Sequence, residues 1–593
     1  MKRCPQCHQT YTDETLKFCR HDGAFLQVSG SVPAESSDTL ILPAAPTGEA
    51  LPTNLLQGGT AQAQDITSPT NAASDLQTAD ANNEPTTSGV KSQGSGFKRR
   101  RRGVAVAAAA LIFMIVGLAF WFFSSRSADT KQIESIAVLP FQNESGNADN
   151  EYLSDGMTES LIGSLSQIPK LNVKARSSVF RYKGKETDVQ KIARELNVQA
   201  ILTGRVLQRG DQLILNLEVV DGKTENVIWK EQYSRKQTDL VALQGEIARD
   251  VSSKVRAKLT GAEQDQIAKN YTRSSEAYQL YLKGRFFLNS GTRGGQQKSI
   301  EYFEQAVNHD PNFALGYAGI ADAYTILGTT HDASLSPREA IPKARAAARK
   351  ALDIDPGLGE AHTSMAWIKY RFDWDWRGAE DGFKQAIALN PNNAQAHHWY
   401  ADYLMAMKRF DEALAEIRRA RELDPFSLLI NWNVGRILYF ARRYDESLAE
   451  LRQTLEMDQS SAPTHAFLEL VYSMKGMKDE AFAAHLKVDA LTGASAERLA
   501  ALKTAYAQAG FRSVWEKEIE FALEDVKSRH ITPFNLARLY ANAGDKNRAL
   551  ALLNQAYDVR DGSLVYLNAA PYWDDFRADA RFQDLLRRMN FPP

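Results

Sequence analysis

The sequence predicts a multidomain chain. A mixed α/β domain is followed by an all-α superhelix of stacked helix pairs, with a small metal-bound head and one transmembrane helix before them. Three observations carry this reading. Helix-ending signals recur every 34 or 35 residues in the C-terminal half. Between Ser135 and Thr260, short apolar runs alternate with amphipathic stretches and hairpin dipeptides. Gly103 to Ser125 carries no charged residue. The 593 residues exceed what one domain needs. Hydrophobic residues at 44% and charged residues at 24% exclude a wholly disordered or fibrous chain. Lys and Arg number 71 against 72 Asp and Glu, so the basic excess of a nucleic-acid binder is missing and no such partner is expected.

The head comes first. Cys4, Cys7 and Cys19 are the only cysteines, so the rest of the chain cannot form a disulfide. Cys4-Pro5-Gln6-Cys7 is a CxxC knuckle, and Cys19 returns twelve residues later. The pattern CPQC…YTDETLKFCRHDG, within residues 1–26, resembles half of a zinc ribbon, whose usual completion is a second CxxC. The resemblance implies a structural zinc ion held by Cys4, Cys7 and Cys19. Spacing favours Asp22 as the fourth ligand, ligand softness favours His21, and His8 is a further candidate. A metal-free knuckle and a redox pair are the alternatives. A segment this short needs the metal to fold, and a closed four-ligand site has no open position for catalysis.

Residues 27–97 form a Ser-, Thr-, Ala-, Pro- and Gly-rich stretch with no aromatic residue before Phe97, and read as a disordered linker. Lys98-Arg99-Arg100-Arg101-Arg102 precedes the apolar span 103–125, which is long enough to cross a bilayer as a helix. Trp121 and its neighbouring Phe residues would form an aromatic belt at the far interface. The basic cluster keeps the N-terminus cytoplasmic. The expectation is a single-pass protein of a bacterial inner membrane with its C-terminal domains in the periplasm.

Residues 133–262 read as an α/β domain. Ile136 to Phe141 is a buried strand, Met157 to Gln167 and Asp188 to Leu196 are helices, and Leu240 to Leu259 is a closing helix. Ala200–Leu207, Gln212–Val220 and Asn226–Tyr233 are strands joined at Arg209-Gly210-Asp211 and Asp221-Gly222. The blocks SIAVLPFQNESGN, EYLSDGMTESLIGSLSQI, ARSSVFRYKG, ELNVQAILTGRV and VIWKEQY together resemble the TolB amino-terminal-like domain. That resemblance implies no catalytic residues and a place ahead of tetratricopeptide arrays in bacterial signalling proteins.

Residues 275–593 are Ala-rich and periodic. Asp355-Pro356, Asn390-Pro391, Asp424-Pro425 and Asp458-Gln459 follow one another at 35, 34 and 34 residues. In this register a small residue of the second helix falls on Ala379, Ala413, Ser447, Ala481, Trp515 and Ala549. The large apolar position four residues on falls on Phe383, Ile417, Leu451, His485, Ile519 and Leu553. The turn between helices gives Gly476, Gly510 and Gly544, again 34 apart. The pattern resembles the tetratricopeptide repeat, with two earlier repeats and a capping helix at ADARFQDLLRRMNFPP.

Such stacks present the first helix of each repeat along a concave wall. The register places Arg371, His398, Asp402, Trp432, Arg436 and Tyr439 there, as a groove for a protein or peptide partner. A packed core position is the alternative for Trp432. The paired Lys/Asn clamp for a C-terminal carboxylate is missing. No P-loop, HExxH, GxSxG or kinase signature occurs, so no enzyme is expected, and Asp373-Trp374-Asp375-Trp376 reads as a solvated turn. The expected function is a membrane scaffold or sensor whose outer groove binds a partner and whose zinc head contacts an inner one. Envelope assembly or transport is the alternative, and an enzyme with an unrecognised site ranks last.

Overall fold

The computed structural model describes residues 133–592, apart from 186–187, 256–258, 268, 330–334 and 527–530, together with three short strands near the N-terminus. Those strands are β1 (Lys2–Arg3), β2 (Thr10–Tyr11) and β3 (Gln27–Val28), antiparallel in the order β2-β1-β3. Gln27–Val28, expected to open the linker, pairs with β1 instead, because the ladder satisfies its backbone groups. The metal candidates Cys4, Cys7, Cys19, His21, Asp22 and His8 lie outside the described residues, as do the rest of the linker and the span 103–125. Among the described residues no helix is long and apolar enough to cross a membrane.

The α/β domain begins with β4 (Ser135–Val138), which stops before Pro140, a residue without an N–H for the ladder. There follow β5 (Gln142–Asn143), α1 (Glu151–Ser166), β6 (Asn172–Val173), α2 (Arg176–Phe180) and α3 (Val189–Leu196). Then come β7 (Ala200–Arg209), β8 (Gln212–Asp221), β9 (Val227–Lys236), α4 (Leu240–Val255) and α5 (Gly261–Ile267). The sheet order is β6-β4-β7-β8-β9, with β5 also pairing β7. Parallel pairing joins β6, β4 and β7, whereas β7, β8 and β9 form an antiparallel meander. On β8, Leu213, Leu215, Leu217 and Val219 are fully buried and alternate with the partly exposed Gln212, Ile214, Asn216 and Glu218, the period of two of a half-buried strand. Helix α3 is fixed at both ends. The Asp188 carboxylate accepts from the Lys191 N–H at 2.8 Å, and Asn197 closes the helix at φ 51°. β6 and α2 carry no sequence signal because both are too short to show a period.

Among the described residues eight helix pairs follow. They are α6 (Ser275–Leu288) with α7 (Arg293–His309), α8 (Ala314–Thr329) with α9 (Pro337–Ile354), and α10 (Gly359–Ile368) with α11 (Trp376–Leu389). Next are α12 (Ala394–Ala406) with α13 (Phe410–Leu423), and α14 (Leu428–Phe440) with α15 (Tyr444–Met457). The last are α16 (Ala462–Met474) with α17 (Lys478–Leu491), α18 (Ala496–Ala509) with α19 (Phe511–Asp525), and α20 (Pro533–Asn542) with α21 (Lys546–Asp558). Two 3-10 turns, Gly562–Tyr566 and Pro571–Phe576, lead into α22 (Ala580–Arg588).

The register explains the packing. Ala379, Ala413, Ser447, Ala481 and Ala549 are wholly buried at the crossing of paired helices. At one such crossing a Cβ on Gly435 would lie 2.5 Å from Leu451 Cγ, so only glycine permits the approach. Positive φ recurs at Trp374, Lys408, Arg442, Gly476, Gly510 and Gly544, each 34 residues after the last. The turn therefore keeps a positive φ even at Trp374, Lys408 and Arg442, where the sequence supplies no glycine, because tertiary stacking overrides the cost of a left-handed residue.

The array returns on itself. Trp376 Nε1 donates to the Met589 carbonyl at 3.1 Å, and its ring stacks on Phe591 with centroids 4.5 Å apart. Trp374 packs on Tyr557 at 5.0 Å. The expected solvated turn thus buries both tryptophans and leaves only its carboxylates outward, Asp373 facing Arg345 and Asp375 capping α11. The indoles are buried because the C-terminal segment covers them.

Candidate partner-binding groove

All six expected groove residues lie on first members of helix pairs or on the turn that continues one. Arg371 sits in a π-helical turn, Lys369–Asp373, that extends α10. His398 and Asp402 are on α12, and Trp432, Arg436 and Tyr439 on α14. Asp402 and Arg436 are one repeat apart, so stacking sets them side by side.

They do not line an open surface. Asp402 is 3% exposed, and Arg436 Nη2 donates to its Oδ1. Tyr370 Oη donates to Oδ2 at 3.0 Å, and Arg371 Nη1 stands 3.9 Å away. The fourth partner is Tyr566, from the 3-10 turn after the last repeat, whose hydroxyl donates to Oδ2 at 2.9 Å. Its ring lies 5.1 Å from the Arg371 guanidinium carbon and 5.3 Å from that of Arg436. The chain's own C-terminal segment therefore occupies this stretch of the wall.

The electrostatics follow from burial and partners. Burial alone would raise the Asp402 carboxyl, but the guanidinium groups of Arg436 and then Arg371 outweigh it and hold the pKa below the usual value. Burial lowers the His398 imidazole to about 4, and Arg436 adds to the effect against Asp402. Asn433 Nδ2 donates to His398 Nε2 at 3.0 Å, which fits a neutral ring protonated on Nδ1.

Trp432 is half-buried and stacks on Phe467 at 5.4 Å. Tyr439, expected on the groove wall, is fully buried against Phe440, Tyr444 and Phe467. Its position in the repeat faces the core, one helical turn from Arg436.

A second polar system joins the α/β domain to the array. The Asp-Pro and Asn-Pro turns that mark the repeat in the sequence are its contact points. Lys269 Nζ donates to Asp355 at 2.8 Å. Asn392 Nδ2 donates to the carbonyls of Ser166 and Ile168 at 2.9 and 3.3 Å. The hydroxyls of Ser177 and Ser178 donate to Asp424, and the Ala175 N–H donates to the Leu423 carbonyl at 2.9 Å. Lys174, 2% exposed, donates to the Glu422 carbonyl at 2.6 Å, and burial pulls its ammonium down to about 8. On the neighbouring face, Arg285 of α6 links Glu159 of α1 to Asp322 of α8. The seam left no signature in the sequence because each of its contacts spans many tens of residues.

Comparison with known proteins agrees with the two-part layout. The family described as HilA/YgeH-like transcriptional regulator, second domain, matches residues 131–250. The tetratricopeptide repeat family matches residues 375–430, and the helical array is a tetratricopeptide-like superhelix. The chain is 32% identical over 288 residues to putative adenylate cyclase 3 of Rhizobium meliloti, a match covering 47% of this chain and 41% of that one. It is 22% identical over 302 residues to the transcriptional regulator HilA of Salmonella typhimurium, covering 51% and 53%. It is 29% identical over 101 residues to the type IV pilus assembly protein PilF of Pseudomonas aeruginosa, covering 17% and 38%. The chain thus spans about half or less of the length of these relatives.

Proposed function

We propose that this chain is a membrane-tethered protein-interaction scaffold of a bacterial regulatory system, and that its role is binding and not catalysis. The tetratricopeptide array is a protein–protein interaction scaffold, and the α/β domain is locked onto its inter-repeat turns. The two act as one sensory body, in which the α/β part is a TolB-like docking domain. The observation that carries this reading is the seam at Asp355, Asn392 and Asp424, which makes the repeat turns themselves the mount of the α/β domain. Similarity to a cyclase and to a transcriptional regulator supports a regulatory setting. In this reading span 103–125 anchors the body outside the inner membrane, and a zinc-ribbon-like head contacts a cytoplasmic partner. That head would hold structural zinc through Cys4, Cys7, Cys19 and either Asp22 or His21. Similarity to PilF favours a second reading, an accessory role in envelope assembly.

The test is affinity capture from crosslinked bacterial membranes, with the full chain and a chain lacking residues 1–26 as baits. Loss of one cytoplasmic partner on truncation supports a link between compartments. A single partner retained by both baits, found on the outer side, supports envelope assembly. Retention of nothing by either bait rejects the scaffold reading.

A further inference from the structure

One register position breaks the apolar core. Phe383, Ile417, Leu451, Ile519 and Leu553 fill the equivalent hole in five repeats, and all are buried. In the one other repeat of this six-repeat register the hole holds His485, 6% exposed on α17. The next repeat departs too, with Trp515 at the small-residue position and its ring edge against His485 at 5.1 Å. Nearby, Phe482, Leu502 and Val514 form a small apolar cluster apart from the main core.

What surrounds the imidazole is carboxylate from three helices. Glu469 on α16 lies 3.3 Å from Nδ1. Asp489, one turn further along α17, lies 3.7 Å from Nε2, and Glu518 on α19 lies 3.3 Å from it. The Arg498 guanidinium, on the neighbouring helix α18, pairs with Asp525 at 2.9 Å.

We propose that His485, Asp489 and Glu518 bind a divalent transition-metal ion such as Zn2+, with Glu469 orienting the imidazole. The donor atoms of the three lie within 4.8 Å of one another. A tetrahedral zinc with bonds of about 2.0–2.2 Å holds its ligands roughly 3.3–3.6 Å apart, which the contacts at Nε2 already approach. One imidazole nitrogen with two carboxylates is a donor set for zinc, iron or nickel, whereas calcium and magnesium favour oxygen alone. A carboxylate on Nδ1 is the usual device that frees Nε2 for a metal and fixes the ring. The imidazole sets this cluster apart from a mere group of acids, because a buried histidine in a leucine-sized hole needs a partner at each nitrogen. The ion would bridge α17 to α19, holding successive repeats together where apolar packing is interrupted.

The test uses the full chain carrying Cys4→Ser, Cys7→Ser and Cys19→Ser, which removes the N-terminal thiolates as competing ligands. Zn2+ is titrated by calorimetry in weakly buffered solution, and Co2+ by absorption. One equivalent per chain is expected, with no thiolate charge-transfer band. Asp489→Asn and Glu518→Gln should each weaken binding at least ~10-fold, and Glu469→Gln by about 10-fold. His485→Leu, which supplies the residue type of the other repeats, should abolish binding in a folded chain. Absence of binding at millimolar ion, or binding unchanged by Asp489→Asn and Glu518→Gln, overturns the proposal.

Discussion

Tyr566 donates a hydrogen bond to the Asp402 carboxylate at 2.9 Å across 164 residues of chain. The contact joins the segment after the last repeat to the middle of the array. It makes the groove wall, at this level, an internal interface.

Asp402 is the acceptor on which two guanidinium groups and two phenols converge, so its removal leaves buried positive charge uncompensated. Asp402→Ala should lower stability by about 3–5 kcal/mol. Tyr566→Phe, which deletes one donor, should cost about 1–2 kcal/mol. Urea unfolding checks both, and equal small losses would show that the network is energetically idle.

The His398 imidazole is depressed to about 4 in the folded chain, against about 6.5 unfolded. Between these values the unfolded chain holds a proton that the folded chain lacks, so stability is present above pH 6.5 and is lost as pH falls toward 4. The loss amounts to about 3 kcal/mol at its limit. His398→Gln should flatten the acid side of the stability profile by one proton, measured as the difference in slope between variant and parent.

Lys174 behaves in the same sense at alkaline pH. Its ammonium is depressed to about 8 by burial in the seam, against an ordinary 10.5. Stability should therefore rise as pH climbs from 8 to 10.5, by up to about 3 kcal/mol. Lys174→Met should remove the rise. A parent profile that falls across this window would contradict the buried placement.

Asp424 accepts from Ser177 and Ser178 and anchors the seam. Asp424→Ala leaves the buried Ser178 hydroxyl without its acceptor, at a cost of about 1–3 kcal/mol. Calorimetry should then resolve separate unfolding of the α/β domain and the array, where the parent unfolds in one transition.

The repeating positive-φ position offers an opposed pair. Lys408 holds φ 61° without being glycine, and Gly476 holds φ 74° at the equivalent site. Lys408→Gly should stabilise by about 0.5–1 kcal/mol, and Gly476→Ala should destabilise by about 1–2 kcal/mol. Thermal unfolding of the two variants in one buffer reads both signs.

Much of the architecture was written in local pattern. The 34-residue spacing located every second helix from α11 to α21, because small and large apolar residues must alternate where helices cross. Strands β7, β8 and β9 were legible from the hairpin signals that separate them. The groove was legible only in part. The register placed Asp402 and Arg436 on adjacent first helices, but it said nothing of Tyr566, which lies outside the repeat. Tyr439 read as a groove residue because its position in the repeat names the helix and not the face. His485 stood out in the sequence only as an irregular filler of an apolar hole.

What the sequence alone determined is the repeat helices, the longer strands and their order, since helix period, turn residues and repeat spacing are short-range properties of the chain. What only the tertiary structure decided is which surfaces remain free. Closure of the array onto Trp376, the docking of the α/β domain on the Asp-Pro turns and the carboxylates around His485 all join residues far apart in sequence. Such contacts are selected by mutual burial and charge pairing, and no local pattern carries them.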